Sequence, residues 1–460
     1  MNNLTGNSGK FQRTLLVWLI LCAAIRLIAL FLLPHQREFF LDRETASKNS
    51  GHLTWVEIIA RRTDYQPLTV DEHCYDEMAR NLLAGRGFVL DSVWIINTPG
   101  EPAMYAGCSY PLFIAALYGI CGSASQWPVY LSQITLQVLA LWFVYRAAEN
   151  WGGPFAANFA SAFFTFHPVL IWLSLSMMSE ALLVPGAAFL CWIFSRTQIS
   201  RSLAFVTGVS LGVMALARST ATVFLVVALC FMFFRSSPSF SQRLQQTFML
   251  LLAFILICAP WTYRNYVHWN RFIPFSTKSG VNAWFFNHPG LEPEFNRKAV
   301  EGPQPIDIFD PRIQGLPDEA ARNDQLMKMF QDFVFREPVK FLGLCWVRFW
   351  MALLPVRITS TTLNALISAW YVKGIPLLLL IMLGIRSFRN HSFISSLSNA
   401  LRRYWPLLLL VLLWQGIQTL AGPGMRYRLP VEPAWAIIIG LMGAAAFSKR
   451  PRNLEGQSES

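Results

Sequence analysis

An acidic pair lies in Thr69-Val-Asp-Glu-His-Cys-Tyr75, and arginines follow far along the chain in Ala259-Pro-Trp-Thr-Tyr-Arg-Asn265 and Arg426-Tyr-Arg-Leu-Pro430. A carboxylate held partly out of water is suited to take a proton from a hydroxyl nucleophile, and a guanidinium grips phosphate oxygens in pairs. Set at the ends of apolar runs, these groups read as the working parts of an enzyme acting at a membrane surface on a lipid phosphate. A plainer reading stands beside this one. Thr69-x-x-Glu72 has the spacing of a capping box, with Asp71 in the first turn against the helix dipole, so the acids would only start a helix. That leaves unexplained why they lie just past the first apolar run, in a loop that must pack over the spans.

Other ionisable residues stand where an apolar chain rarely places them. Glu180, in Ser176-Met-Met-Ser-Glu180, opens an apolar run, where a charge is costly and marks a functional candidate unless it completes a first turn capped by Ser179. Arg218 ends another run in Leu216-Ala-Arg-Ser-Thr220 and either binds an anion or snorkels to headgroups. Arg264 and Asn265 follow Pro260-Trp261, which predicts a helix break with the guanidinium at its lip. Arg426 and Arg428 occupy a tight turn opened by Gly422-Pro-Gly424. A common side for these arginines suggests one shared anionic ligand.

The elements that must position these residues follow from composition. The chain has 460 residues, 54% of them apolar and only 14% charged, with mean hydropathy +0.39. A soluble domain carries about 25% charged residues, so a polytopic membrane protein is expected. The formal charge of +12 does not indicate nucleic acid, because the excess sits in short segments: Lys10 and Arg13, Arg146, Arg196 to Arg201, Arg235 to Arg243, Arg386 to Arg403, and Lys449 to Arg452. Only Glu149, Glu455 and Glu459 oppose it there. This is the bias of cytoplasmic loops.

Apolar runs near the ~20 residues that cross a bilayer core fall near 14–34, 125–147, 153–172, 179–195, 202–217, 219–235, 245–262, 363–385, 404–421 and 430–447. The expected fold is an all-α polytopic membrane protein with about ten transmembrane helices and two outer-face loops forming a small cap. The first run is too long for a signal peptide and no small-residue cleavage site follows, so it is expected to stay as an anchor. The run 341–354 is read as an amphipathic helix on the outer interface, since a span there would invert Arg386 to Arg403, and Lys340, Arg348 and Arg357 suit a surface position. The outer loop 35–124 carries seven basic and eleven acidic residues through Ser109, the reverse of the cytoplasmic segments. A helix is expected from Asp71 to Leu83, stopped by Gly85-Arg-Gly87, and another around Asp318 to Phe335. The expected organisation is an N-terminal module 1–262, an outer cap 263–340, an interfacial helix with the last spans 341–448, and a disordered tail 449–460.

Of the eight cysteines, Cys22, Cys191, Cys230 and Cys258 lie inside apolar runs and read as small core hydrophobes. Cys74 and Cys108 share the outer loop, where a disulfide is chemically permitted. No metal-ligand spacing and no nucleotide-binding glycine loop is present, which fits a lipid-linked donor better than a nucleotide sugar.

The ordered motifs resemble the GT-C superfamily of membrane glycosyltransferases, in particular the branch of protein O-mannosyltransferases and lipid A aminoarabinose transferases. They are Asp71-Glu72-His-Cys-Tyr75 with Ala79-Arg-Asn-Leu-Leu-Ala-Gly-Arg-Gly-Phe88, Ser179-Glu180, Ala217-Arg218, Pro260-Trp-Thr-Tyr-Arg-Asn-Tyr266 through Arg271 to Gly280-x-Asn282, and Arg426-Tyr-Arg-Leu-Pro-Val-Glu432-Pro433. The resemblance implies transfer of a sugar from a polyprenyl-phosphate donor to a hydroxyl of a glycan, lipid or protein, with inversion, at the outer face of a bacterial inner membrane. Asp71 would be the base and Glu72 its acidic neighbour. Tyr75, Glu180, Arg218, Arg264, Asn265, Asn282, Arg426 and Arg428 would bind substrates, and no cofactor is expected beyond room for a divalent cation serving Glu72 or Glu180. The partners would be the donor, the acceptor and membrane lipids. Where the aminoarabinose branch has Lys-Pro-Pro, this chain reads Cys108-Ser-Tyr-Pro111, so that sugar is not implied. Two readings from other classes remain: a transporter or flippase of an anionic lipid or glycolipid, and a non-catalytic assembly factor. A lipid-tail groove ending beside Asp71 would favour the enzyme, and a closable central pathway the transporter.

Overall fold

The computed structural model of the protein describes residues 3–32, 70–92, 96–104, 107–235, 239–294, 311–353, 370–389, 393–421 and 425–447. Thr69, Arg357, the Gly422-Pro-Gly424 turn and the tail from 449 lie outside the described residues. Within them the chain is helical: α1 (Asn3–Leu32), α2 (Val70–Leu83), α3 (Ser109–Cys121), α4 (Trp127–Thr165), α5 (Pro168–Leu173), α6 (Glu180–Phe194), α7 (Arg201–Ala217), α8 (Thr222–Phe234), α9 (Phe240–Trp269), α10 (Lys278–Phe286), α11 (Glu319–Arg336), α12 (Pro338–Leu353), α13 (Ile375–Arg389), α14 (Phe393–Ala421) and α15 (Glu432–Phe447). One antiparallel bridge joins Val89 to Pro102.

This is a multi-pass membrane protein. Gln12–Phe31, Trp127–Thr165, Phe240–Trp269 and Arg426–Phe447 are long and apolar enough to cross a bilayer, and Ser109–Cys121, Glu180–Phe194, Arg201–Ala217, Ser219–Phe234 and Tyr371–Ile385 are shorter apolar helices. Leu16, Val17 and Ile20 on α1 and Ile255 and Leu256 on α9 are exposed, a surface suited to lipid and costly in water. The total of ten spans stays an expectation, because residues 354–369 lie outside the description.

The bundle packs α15 and α6 against α4, α1 against α4, and α9 against α7. Gly208 on α7 sets the closest of these approaches, since a Cβ there would meet the Leu250 carbonyl and the Ala253 side chain of α9, and Gly440 on α15 does the same against Ala156 and Ala160 of α4. The expected pair of runs 125–147 and 153–172 becomes α4, whose two arms meet at Gly153 (φ 74°, ψ −171°) beside Pro154. The second arm stops at Thr165 instead of running on to 172. Pro168 disfavours helix at His167, and the His167 Nδ1 accepts the Leu170 N–H at 3.2 Å to start α5. The break expected at Pro260 is absent, and α9 runs through it to Trp269. Within the membrane the amide that proline lacks is a smaller loss than unwinding the helix would be.

Outside the bundle, α2 packs on α3 and α10 on α11. Gly85 (φ 73°) and Gly87 (φ 80°) turn the chain after α2 in the left-handed region. Asp318 caps α11, its Oδ1 accepting the Ala321 N–H at 2.7 Å. Along α12, Val339, Leu342 and Trp346 are exposed while Leu344, Val347 and Met351 are buried, the two-sided pattern of an interfacial helix. Arg348 is not the headgroup anchor expected of it. It is fully buried and donates from Nη1 to Asn287 Oδ1 at 2.8 Å and from Nη2 to the Phe286 carbonyl.

If α12 lies on the outer interface, the segment 386–403 faces the cytoplasm. Cysteines introduced at Ser387 and Ser398 are then expected to react with an impermeant thiol reagent only in inverted vesicles. Labelling in intact cells would overturn this topology.

Candidate functional site

The acidic motif starts α2, and the amphipathic pattern that follows buries Cys74, Tyr75, Met78 and Ala79, which fixes the helix over the bundle. The half-buried Asp71 is thereby aimed at two cations from distant segments. Its Oδ1 accepts from Lys278 Nζ at 2.8 Å and its Oδ2 from Arg426 Nη2 at 2.5 Å. The same Arg426 donates from Nε to Glu180 Oε1 at 3.0 Å, and Arg218 Nη1 reaches that oxygen at 2.5 Å. The result is one chain of alternating charge, Lys278, Asp71, Arg426, Glu180, Arg218, with one more cation than carboxylate.

Local structure explains each placement. Glu180 is the first residue of α6; its side chain is 1% exposed. Ser179 does not cap that helix with its side chain; its hydroxyl donates to Glu180 Oε2 at 3.4 Å. Arg218 leaves the helical region at the end of α7 (φ −156°, ψ 119°), so its side chain folds back over the Tyr427 ring, 5.2 Å away. Arg426 lies in the one-turn helix Met425–Arg428, tied to α14 by Trp414 Nε1 donating to the Tyr427 carbonyl at 2.7 Å. The Arg218 and Arg426 side chains stay 18% and 24% exposed, so the cations remain reachable while Glu180 lies beneath them. Burial pushes the Asp71 carboxyl up, but the charges and hydrogen bonds of Lys278 and Arg426 overcome it and hold the group well below the usual carboxylate range.

Not all the expected residues join this chain. Arg264 sits in a cage of Trp261, Trp269 and Phe88, with ring centroids at 4.7, 5.0 and 5.7 Å. It donates to the Ala103 carbonyl at 3.2 Å and to Asn265 Oδ1 at 3.0 Å. Because α9 continues through Pro260, Trp261, Arg264 and Trp269 fall on neighbouring turns and draw the guanidinium sideways. Asn265 is buried and donates to the Ile273 carbonyl at 2.9 Å. Arg428 turns the other way, pairing with Glu432 at 2.7 Å under the Trp435 ring, and Glu432 lies 3.2 Å from His167. Asn282 is half-buried in α10.

Glu72 is buried and accepts the Met177 N–H at 2.8 Å, which pins α2 to the chain just before α6. Tyr75 packs edge-on against Tyr110 at 4.9 Å, and burial raises its hydroxyl above the usual range. Glu72 thus holds a backbone amide and Glu180 two arginines. Among the described residues no group of three His, Cys, Asp or Glu could hold a metal ion. Cys74 and Cys108 carry free thiols.

Two residues near the site carry no motif in the sequence. Lys278 is a single lysine in a polar stretch, and only its reach to Asp71 marks it. Glu319 reads as an ordinary first-turn acid. In the structure it is buried, its Oε1 accepting the Thr277 hydroxyl and its Oε2 the Met104 N–H at 3.2 Å. Burial raises its carboxyl to about 7, against those hydrogen bonds and the charges of Arg264 and Arg322.

Residues 107–263 match the family model described as dolichyl-phosphate-mannose-protein mannosyltransferase. That segment contains Glu180 and Arg218 but ends before Lys278 and Arg426. The match agrees with the likeness to GT-C membrane glycosyltransferases that the ordered motifs carry. No curated protein matches the sequence. Among solved structures, the chain is similar to ArnT from Cupriavidus metallidurans bound to undecaprenyl phosphate, at 13% identity over 82% of this chain and 56% of that one, with TM-score 0.45. It is also similar to the oligosaccharyltransferase AglB from Archaeoglobus fulgidus in complex with an inhibitory peptide and a dolichol-phosphate, at 13% identity over 95% of this chain and 50% of that one, with TM-score 0.48. The chain thus spans about half the length of these solved proteins.

A carboxyl raised in the folded state contributes stability that is present below the ordinary carboxyl range and lost as pH rises toward about 7. Thermal unfolding in detergent is therefore expected to show the wild type losing ground to Glu319→Gln between pH 5 and pH 8, by on the order of 3 kcal/mol at most. Parallel pH profiles for the two proteins would contradict the raised carboxyl.

Proposed function

We propose that the protein is a membrane glycosyltransferase that moves a sugar from a polyprenyl-phosphate donor to an acceptor hydroxyl of a glycan, lipid or protein, at the outer face of a bacterial inner membrane. The alternating chain from Lys278 to Arg218 carries this reading. Its surplus cation and partly exposed arginine forks suit a phosphate, and the Asp71 carboxylate within it suits a hydroxyl. The family-model match and the ordered motifs support the same donor class. The acceptor oxygen attacks the anomeric carbon while its proton passes to Asp71; the bond to the phosphate oxygen breaks on the opposite face, and the phosphate leaves with the electron pair. Configuration at the anomeric carbon inverts.

The resting geometry adds a condition. A carboxylate clamped by Lys278 and Arg426 is a weak base, so Asp71 becomes effective once the donor phosphate competes for those cations. Donor binding then precedes deprotonation, and the displaced guanidinium and ammonium stabilise the departing phosphate. Arg218 serves the phosphate through its remaining nitrogens while staying on Glu180.

Asp71→Asn keeps the shape and one acceptor but cannot take the proton. Turnover with donor and acceptor is expected to fall by about 100-fold or more. Stability should fall by about 1–3 kcal/mol, because two charge-assisted hydrogen bonds are weakened, more than a helix-end residue alone would cost. A folded variant with near-normal turnover would remove Asp71 from the chemistry. Arg218→Ala is expected to weaken binding of a polyprenyl phosphate by about tenfold or more, the scale of one charge-assisted hydrogen bond, with Arg218→Lys restoring part of it. Unchanged affinity in Arg218→Ala would place the phosphate elsewhere.

A further inference from the structure

We propose that Glu319 is a positioning residue: by accepting the Thr277 hydroxyl it fixes Lys278, the next residue, against Asp71, so that docking of α11 sets the outermost cation of the site. The relevance of Lys278 to a phosphate rests on the functional reading above; its mechanical control by Glu319 does not.

Thr277 stands at the N-cap position of α10, where a threonine ordinarily turns its side chain onto its own helix. Here it makes no such cap, and the hydroxyl donates outward to Glu319 Oε1. The second carboxylate oxygen takes the Met104 N–H, so one buried acid joins the loop before α3, the start of α10 and the start of α11. Further along, the two helices are keyed together. Gly280 N–H donates to Asn323 Oδ1 at 2.7 Å, and a Cβ on Gly280 would overlap the Asn323 carbonyl. Arg271 pairs with Asp324 at 2.6 Å at the rim. Lys278 is thus held at the tip of a rigid pair, and its ammonium meets Asp71 at 2.8 Å.

The charged and titratable groups facing Glu319 are Arg264 from α9, Arg322 on its own helix and the Cys74 thiol from α2. Ionised, the carboxylate accepts both donors; protonated, one oxygen becomes a donor and one of the two ties weakens. The ionised form, which holds both ties, therefore gains as pH rises through neutrality.

The test uses the full-length protein in detergent and reads the reaction of Lys278 with an amine-selective reagent by peptide mass spectrometry, relative to Lys328, which is exposed on α11. In the wild type the Lys278 to Lys328 ratio is expected to be low at pH 8 and to rise toward pH 6. In Thr277→Val it should be raised at pH 8 by about fivefold, the scale of one lost hydrogen bond, and in Thr277→Val and Glu319→Gln it should not follow pH, whereas Thr277→Ser should match the wild type. If both variants keep the wild-type ratio and pH profile, the positioning role is wrong. A misfolded Glu319→Gln leaves the decision to the Thr277 pair, which alters no buried charge. Binding of undecaprenyl phosphate to the same proteins separates the two ideas. A changed ratio with no lipid-phosphate binding by the wild type overturns the functional reading and leaves Glu319 its role; binding by the wild type with an unchanged ratio in the variants overturns the role alone.

Discussion

Arg426 is the one cation that touches both acids of the site, and the surrounding structure depends on that bridge. Two carboxylates drawn into a low-dielectric setting repel each other and have each lost their water, a cost of several kcal/mol that only an excellent geometry offsets. The guanidinium supplies it by sending Nε to Glu180 and Nη2 to Asp71. Remove it, and α6 begins with a buried charge whose remaining cation is Arg218, while the first turn of α2 loses one of the two cations that orient it. Lys278 and Arg218 then act as end pieces, limiting how far each carboxylate can move toward any other ligand.

Arginines also do quieter work in this chain. Arg26 of α1 is fully buried and donates to the Thr165 and Phe164 carbonyls, which α4 leaves unpaired at its end. Arg348 does the same for Phe286 at the end of α10, and Arg264 for Ala103 in the loop before α3. A guanidinium, with five donors in a planar fork, can satisfy carbonyls that neither lipid nor an apolar side chain can. The same residue type thus closes helix ends at one depth and faces the site at another. Carboxylate partners and partial exposure separate Arg218 and Arg426 from the fully buried Arg26 and Arg348.

This accounts for what the sequence could and could not reveal. Asp71, Glu180, Arg218 and Arg426 were legible because a charge at the edge of an apolar run is expensive and draws the eye wherever it stands. Helix α2 is legible from its capping-box acids and the Gly85-Arg-Gly87 stop, and α11 as the stretch from Asp318 to Phe335. Arg264 reads with the same group because Pro260 predicts the end of its helix; in the continuous α9 its side chain lies among Trp261, Trp269 and Phe88 instead. Lys278 and Glu319 gave no sign, since a lysine in a polar loop and an acid in a first turn are commonplace. Their meaning comes from partners 207 and 42 residues away, a relation that no local pattern encodes.

That reach along the chain bears on biogenesis. Asp71 and Arg426 are separated by 355 positions, and synthesis from the N-terminus delivers both acids long before the guanidinium that joins them. A nascent chain inserted as far as α9 already holds Glu180 and Arg218, but Asp71 still lacks both its cations. The last hairpin, α14 to α15, therefore seals the molecule electrically as well as mechanically. A chain stalled before it would present an unclosed, charged cleft at the bilayer, the kind of lesion by which membrane quality-control proteases distinguish an unfinished polypeptide from a finished one.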